Sequence, residues 1–209
     1  MSLSDEVRNF KLWAETCPLA TRSGEWECDY DGWEQLHSAA LEFLDSTSPE
    51  HWFATEVDDL LCVIARDNEI EYLAKHVAKS NEMLLQLASL SVQSSESDAK
   101  WQLAYQLGQM DTQKTEAEAI LLKLVEDKNE YVSRRALLAL GEMKSAKAEM
   151  LAERAWDSGQ EYQRIAALWV LKNVSSTKLD AYIVSALEDG REHLVHNAFQ
   201  VKRPSDYAP

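Results

Sequence analysis

The chain has 209 residues, 45% of them hydrophobic and 27% charged, with only six glycines and four prolines. That length and apolar content suit one compact domain or one short repeat array, and they exclude collagen, a Pro-rich linker or a turn-dense β-sandwich. The net charge of −15 is uneven: residues 1–97 carry 6 basic and 19 acidic side chains and residues 98–209 carry 15 and 17, so the field of the first half repels phosphates and disfavours nucleic acid as a partner.

Taken in chain order, the first distinctive text is Glu25-Trp26-Glu27-Cys28-Asp29-Tyr30-Asp31-Gly32-Trp33-Glu34, five carboxylates alternating with three large aromatics. Asp31 and Glu34 make a capping-box pair ahead of a helix whose apolar stripe is Trp33, Leu36, Ala40, Leu41 and Leu44, with His37 on the same spacing. Ser48-Pro49 supplies an N-cap and a first-turn proline for a helix with the stripe Trp52, Phe53, Val57, Leu60, Leu61 and Ile64. Asp67-Asn68 breaks it, and Ile70, Leu73, Ala74 and Val77 begin another stripe. Asn81 is the expected cap of a helix carrying Leu84, Leu87 and Ala88, and the polar run Gln93–Ser97 is the best internal boundary.

Beyond that boundary the spacing predicts helices near 98–110, 116–126, 130–143, 146–157, 160–173, 177–188 and 191–201, with a capping box at Thr115 and Glu118 and a C-terminal cap at Gly190. No stretch alternates apolar and polar residues with β-branched enrichment. The expected organisation is acidic helical hairpins over 1–97, repeats continuous with them over 98–201, and a disordered tail over 202–209. Short one-faced helices joined by two to five residues each need neighbours on both sides, as stacked hairpins do.

An internal register supports stacking. Asp127 and Arg134, Asp157 and Arg164, and Asp189 and His196 are each seven residues apart, and the aspartates recur after 30 and 32 residues. Six residues after Arg134 and Arg164 stand Leu140 and Val170. Trp101 occupies the basic slot of an earlier unit, followed six residues on by Leu107-Gly108, as Leu140 is by Gly141. An Asp ending one helix and an Arg one turn into the next can bond across the stack, and the Asp can cap the following helix.

Asp127-x6-Arg134-Arg135-Ala136-Leu137-Leu138-Ala139-Leu140-Gly141 resembles the short HEAT-like repeats of the phycobilisome-lyase type, with Asp157-x6-Arg164-Ile165-Ala166-Ala167-Leu168 a looser copy and His196 in a diverged last one. The resemblance implies an all-α, right-handed α-solenoid of stacked helical hairpins. It also implies chromophore attachment as an alternative activity, although no residue marks a chromophore site. HEAT-like DNA glycosylases would cast Trp156, Trp169 and Arg135 on a DNA-binding face, against which the acidic first half argues. The His-Glu dipeptides of HEAT-repeat iron hydroxylases are absent.

Other chemistry is thinly represented. His193-x2-His196 beside Glu192 lacks a third metal ligand, the Glu25–Glu34 segment lacks the order of a calcium loop, and no phosphate loop or nucleophile motif occurs. Cys17, Cys28 and Cys62 are odd in number and lack metal spacing, which fits reduced thiols in a cytoplasmic protein. No apolar run approaches the ~18 residues of a membrane span, and the acidic start lacks a basic, then hydrophobic leader. The expectation is therefore a non-enzymatic interaction module without cofactor, metal or membrane contact, binding a protein with a basic surface, as an immunity or antitoxin protein would. Its expected contact residues are Glu25, Trp26, Glu27, Asp29, Tyr30 and Asp31, with Asp127, Arg134, Asp157, Arg164, Asp189 and His196 as structural repeat positions.

Overall fold

The computed structural model describes residues 2–202 except Leu19, Thr21 and Ser23–Glu25. The expected tail disorder beyond Lys202, and Glu25 of the expected site, lie outside the described residues. Among the described residues the chain forms twelve α-helices and no strand, and it is all-α, built of helical hairpins. None of these helices is long and apolar enough to cross a membrane. The chain divides into two compact units, Met1–Gln106 and Leu107–Pro209.

The first unit holds α1 (Leu3–Thr16), α2 (Trp33–Ser46), α3 (Ala54–Arg66), α4 (Tyr72–Val77) and α5 (Asn81–Ser91), and α6 (Ser97–Gly108) begins in it. Helix α1 packs against α2 and α3, and α5 against α3 and α4. The core is the stripe of Leu36, Ala40 and Leu44 with Leu60, Leu61, Ile64, Leu73, Leu84 and Leu87, all essentially inaccessible. Gln102 of α6 is also fully buried, and its side-chain amide donates to the Ile64 carbonyl at 2.8 Å, satisfying an end-of-helix acceptor.

Several helix starts differ from the sequence expectation. Helix α2 begins at Trp33 with Gly32 as its cap and no side-chain cap bond, so Asp31 and Glu34 form no capping box. The Tyr30 ring lies where a Cβ on Gly32 would sit, 2.5 Å from that position, and this close packing selects glycine there. Ser48-Pro49 opens a 3₁₀ turn, Pro49–His51, and α3 starts only at Ala54. Phe53 is accordingly outside the stripe and 71% exposed, while the Glu56 carboxylate accepts its N–H at 3.0 Å. Ile70 likewise precedes α4 and is 67% exposed. The cap of α5 is Ser80, whose hydroxyl accepts from the Met83 N–H, one residue before the expected Asn81.

The second unit is a stack of three hairpins: α7 (Lys114–Leu124) with α8 (Glu130–Glu142), α9 (Ala148–Asp157) with α10 (Glu161–Asn173), and α11 (Leu179–Asp189) with α12 (Glu192–Lys202). Helix α10 packs against both α8 and α12, so each second helix covers the next. The glycines make this approach close. A Cβ on Gly108 would meet the Ala139 Cβ at 2.8 Å, and one on Gly141 would meet Val170 Cγ2 at 2.9 Å. Thr115 falls inside α7 rather than capping it, and Glu118 instead accepts from the Ser145 hydroxyl. Gly190 ends α11 at φ 78°, as expected.

The turns between hairpins repeat as well. Lys144 and Ser175 both take left-handed φ (55° and 56°), and the next N–H bonds back five residues, Ser145 to Leu140 at 3.0 Å and Ser176 to Leu171 at 2.9 Å. This is the helix-ending arrangement that satisfies the last free carbonyls. Ser145 and Ser176 then each accept, at 3.1 Å, the N–H of the lysine two residues on, starting the next helix.

Candidate functional site

The segment between α1 and α2 is the most irregular of the first unit. Helix α1 starts from Ser2, whose hydroxyl caps the Asp5 N–H, and it ends in the aromatics that receive the segment. Trp26 opens a 3₁₀ turn, Trp26–Asp29, and stacks on Trp13 with centroids 5.6 Å apart and an interplanar angle of 2°. Tyr30 meets Phe10 edge-on at 5.2 Å and Trp33 at 5.7 Å. The Trp33 indole N–H donates to the Glu27 carbonyl at 2.8 Å. The aromatics thus pack chiefly on one another, leaving Trp26 and Tyr30 half-buried.

The carboxylates divide. Asp29 and Asp31 are exposed, while Glu27 is half-buried with Oε1 3.4 Å from Arg66 Nε. Burial pushes the Glu27 carboxyl up, against the pull of Arg66. Arg66 also donates from one terminal nitrogen to Glu96 at 2.9 Å and to the Cys62 carbonyl at 2.8 Å, with its guanidinium 5.6 Å from the Phe10 ring centre. A single guanidinium therefore ties the irregular segment to α3 and to the start of α6. Cys62 is buried, which pushes its thiol up and away from reactivity, whereas Cys28 is exposed.

A cleft of about 220 Å³ opens beside this segment, lined among others by Glu27, Trp33, His37, Arg66, Asp67 and Glu69. The His37 ring lies 5.6 Å from that of Trp33, and its buried Nε2 finds no hydrogen-bond partner among the described residues. Asp67, also buried, has its carboxylate committed to the Leu73 N–H at 2.8 Å.

An acidic groove of about 380 Å³ lies along α1 and α2, lined by Glu6, Glu34, Gln35, Ser38, Ala39 and Glu42. Ala39 and Glu42 also line an adjoining hollow of about 490 Å³ that reaches Glu56 and the start of α1. Glu6 is only 5% exposed, and its carboxylate accepts a long bond from the Asn9 amide at 3.4 Å. The sequence expectation placed the contact carboxylates before α2, not along it. Glu34, Ser38 and Glu42 recur every four residues, one helix face, and that spacing was the available signal.

In the second unit the register residues take different kinds of partner. Arg164 pairs with Asp189 of the following hairpin and donates to the Trp156 carbonyl at 3.1 Å. Arg191 also grips Asp189, at 2.6 and 2.8 Å, and holds its carboxyl well below the ordinary carboxylate range. Arg134, however, bonds within its own helix to Glu130 at 3.0 Å and stacks 5.0 Å from the Tyr162 ring centre. Asp127 accepts the Asn129 N–H at 2.8 Å, and Asn129 caps α8 through the N–H groups of Tyr131 and Val132. Asp157 is exposed, and His196 lies 2.7 Å from the Gln200 amide. Trp169 donates to Asn197 at 2.9 Å, while Trp156 meets Tyr182 edge-on at 5.0 Å. His193 stacks against Tyr162 at 6.3 Å. Among the described residues no three His, Cys, Asp or Glu side chains converge as metal ligands.

Residues 82–172 match the family model of HEAT repeats. The match takes in α5 through α10 and the register around Asp127 and Arg134, and it is to HEAT repeats in general. No curated protein and no solved structure matches the chain.

Proposed function

We propose that the protein is a non-enzymatic docking module whose acidic first unit receives a basic surface of a partner protein. HEAT repeats form scaffolds typical of protein-interaction modules, which supports the general class. The observation that carries the finer reading is the groove formed by Glu6, Glu34 and Glu42, in the half of the chain that holds 19 acidic against 6 basic side chains. Such a field accelerates encounter with a cationic surface and repels nucleic acid. Asp29 and Asp31, exposed beyond the aromatic cluster, extend it. Neutralising a cationic toxin, as an immunity protein does, is one role this chemistry serves.

The test is fluorescence anisotropy of a labelled lysine-rich peptide against an equal-length peptide of zero net charge. The lysine-rich peptide should bind selectively and weaken at least about tenfold when salt is raised from ~50 to ~200 mM. The double variant Glu34→Gln/Glu42→Gln should weaken it about fivefold, mainly through the association rate. Binding that survives both the salt and the double variant would remove the groove from the reading.

A further inference from the structure

The three hairpins of the second unit are in register. Helices α8, α10 and α12 begin at Glu130, Glu161 and Glu192, and α9 and α11 at Ala148 and Leu179, so equivalent positions lie 31 residues apart. Several of these positions touch the following hairpin. Glu149 and Glu153 of α9 both pair with Lys178 at the start of the third hairpin, and Trp156 meets Tyr182 there edge-on at 5.0 Å. Leu137 of α8 lines a hollow together with Leu151 and Ala155 of the second hairpin.

The last hairpin carries the same positions, and no helix follows it among the described residues. Val184 stands in the slot of Glu153, Leu187 in that of Trp156, and Phe199 in that of Leu137 and Leu168. Leu137, Leu168 and Trp156 are 1%, 0% and 8% exposed, whereas Val184, Leu187 and Phe199 are 54%, 37% and 54% exposed. A repeat array ordinarily closes on a hairpin whose outer face is polar. Here that face carries three bulky apolar side chains, the mark of an interaction surface. Residues 203–209 are too few for another hairpin at the 31-residue spacing.

The chemistry of the slots and the distribution of charge decide the occupant. In the earlier slots the covering element is a helical hairpin of this same text, and a second copy of the chain offers one with an identical apolar face. Residues 179–202 hold four acidic side chains against two basic, and Asp189 among them is already held by Arg164 and Arg191. Residues 1–97 carry 19 acidic against 6 basic, so two copies repel one another strongly through that part and little through the last hairpin. We propose that α11 and α12 form the contact between two copies of this chain, Val184, Leu187 and Phe199 of each meeting their counterparts about a two-fold axis. A patch that pairs with itself closes at a dimer rather than growing into a filament. Each of the two helices has eleven residues, about 16 Å of length and ~10 Å of width. Their joint face is smaller than the ~800 Å² per partner of a standard interface, so the dimer is weak, with a dissociation constant of about 10–100 μM.

Sedimentation equilibrium of the full chain, from ~1 to ~500 μM protein at ~150 mM salt, reads this contact. The chain should be monomeric at the low end and mostly dimeric at the high end. Phe199→Glu and Val184→Glu, both at exposed positions, should each weaken dimerisation at least about tenfold, with thermal melting by circular dichroism showing that the fold is kept. Phe53→Glu, at an exposed apolar residue of the first unit, should leave the dimer unchanged. Raising salt to ~0.5 M should strengthen association, because salt screens the repulsion between the two acidic halves. A monomer throughout, species that keep growing with concentration, a dimer weakened by salt, or one indifferent to both variants or lost equally in Phe53→Glu would overturn the proposal. So would a monomer whose Phe199 ring shows nuclear Overhauser contacts to Tyr207, which would give the face to the chain's own last residues.

Discussion

The two units meet the same requirement, burying one-faced helices, by different means. The second unit relies on repetition. Hairpins end on the same turn at Lys144-Ser145 and Ser175-Ser176, and glycines at 108 and 141 let adjacent helices approach closely. The first unit relies on large side chains. Phe10, Trp13, Trp26, Tyr30 and Trp33 fill the irregular connection, and Arg66 ties it to neighbouring elements. The buried side-chain atoms without a hydrogen-bond partner among the described residues, on His37, Arg66 and Gln102, all lie in the first unit. Surplus charge also sits in the aromatic unit, 19 acidic against 6 basic side chains over residues 1–97. Surplus charge and structural repeat are thereby concentrated in different parts of the chain.

If the second unit depends on close backbone approach, Gly141→Val should be the most damaging single change. Its new side chain would meet Val170 from 2.9 Å, and overpacking of this kind costs about 2–3 kcal/mol. Urea denaturation monitored by circular dichroism would read it, and a loss below ~0.5 kcal/mol would show that the helices separate freely. In the first unit the corresponding test is Arg66→Met, which keeps the stem but strands Glu27 and Glu96. The pair is partly exposed, its side chains retaining 23–29% of their surface, so about 2 kcal/mol is expected rather than the full cost of a buried charge. A change within ~0.5 kcal/mol would mean that the rings hold the segment unaided.

A gain is expected at the repeated turn. Ser175 holds φ 56° only because the helix ending demands it, so Ser175→Gly should stabilise the protein by about 0.5–1 kcal/mol in the same assay. A loss there would show that the serine side chain contributes more than its backbone strain costs.

The finest contrast is one of sign. Glu27 has its midpoint raised by burial, so its ionised form is a cost in the folded state, and stability from this group falls as pH rises from the ordinary glutamate midpoint through the raised one. Asp189 has its midpoint lowered by Arg191, so its contribution is present above the ordinary aspartate midpoint and lost as pH falls towards the lowered one. Melting curves of wild type against Glu27→Gln and Asp189→Asn across the carboxylate range should therefore diverge. As pH falls, wild type gains on the first variant and loses its lead over the second. Parallel curves would erase the distinction.

Much of the second unit was legible because its determinants are local. The helix from Glu130 to Glu142 follows from the apolar spacing of Ala136, Leu137 and Leu140, although its cap is Asn129 where Asp127 was the expected one, and the slots of Gly108 and Gly141 are equivalent in the linear text alone. The partner of Arg134 was not legible. An Asp seven residues upstream and a Glu four residues upstream compete on equal terms in a linear text, and only the geometry of α8 selected Glu130. In the first unit, Glu27 and Asp29 look alike in sequence. The 3₁₀ turn directs Glu27 inwards to a guanidinium 39 positions later and leaves Asp29 in water.

Sequence by itself determined that the chain is helical, that its latter part repeats at about thirty residues, and that its charge is concentrated ahead of residue 98, because periodicity and composition are sums over near neighbours. Tertiary structure alone decided which carboxylates are spent internally and which stay in water, and that His37 Nε2 would be buried without a hydrogen-bond partner among the described residues. Those outcomes depend on ring-against-ring packing between residues far apart in the chain, such as Phe10 with Tyr30 and with Arg66, and no local pattern encodes distances of that kind.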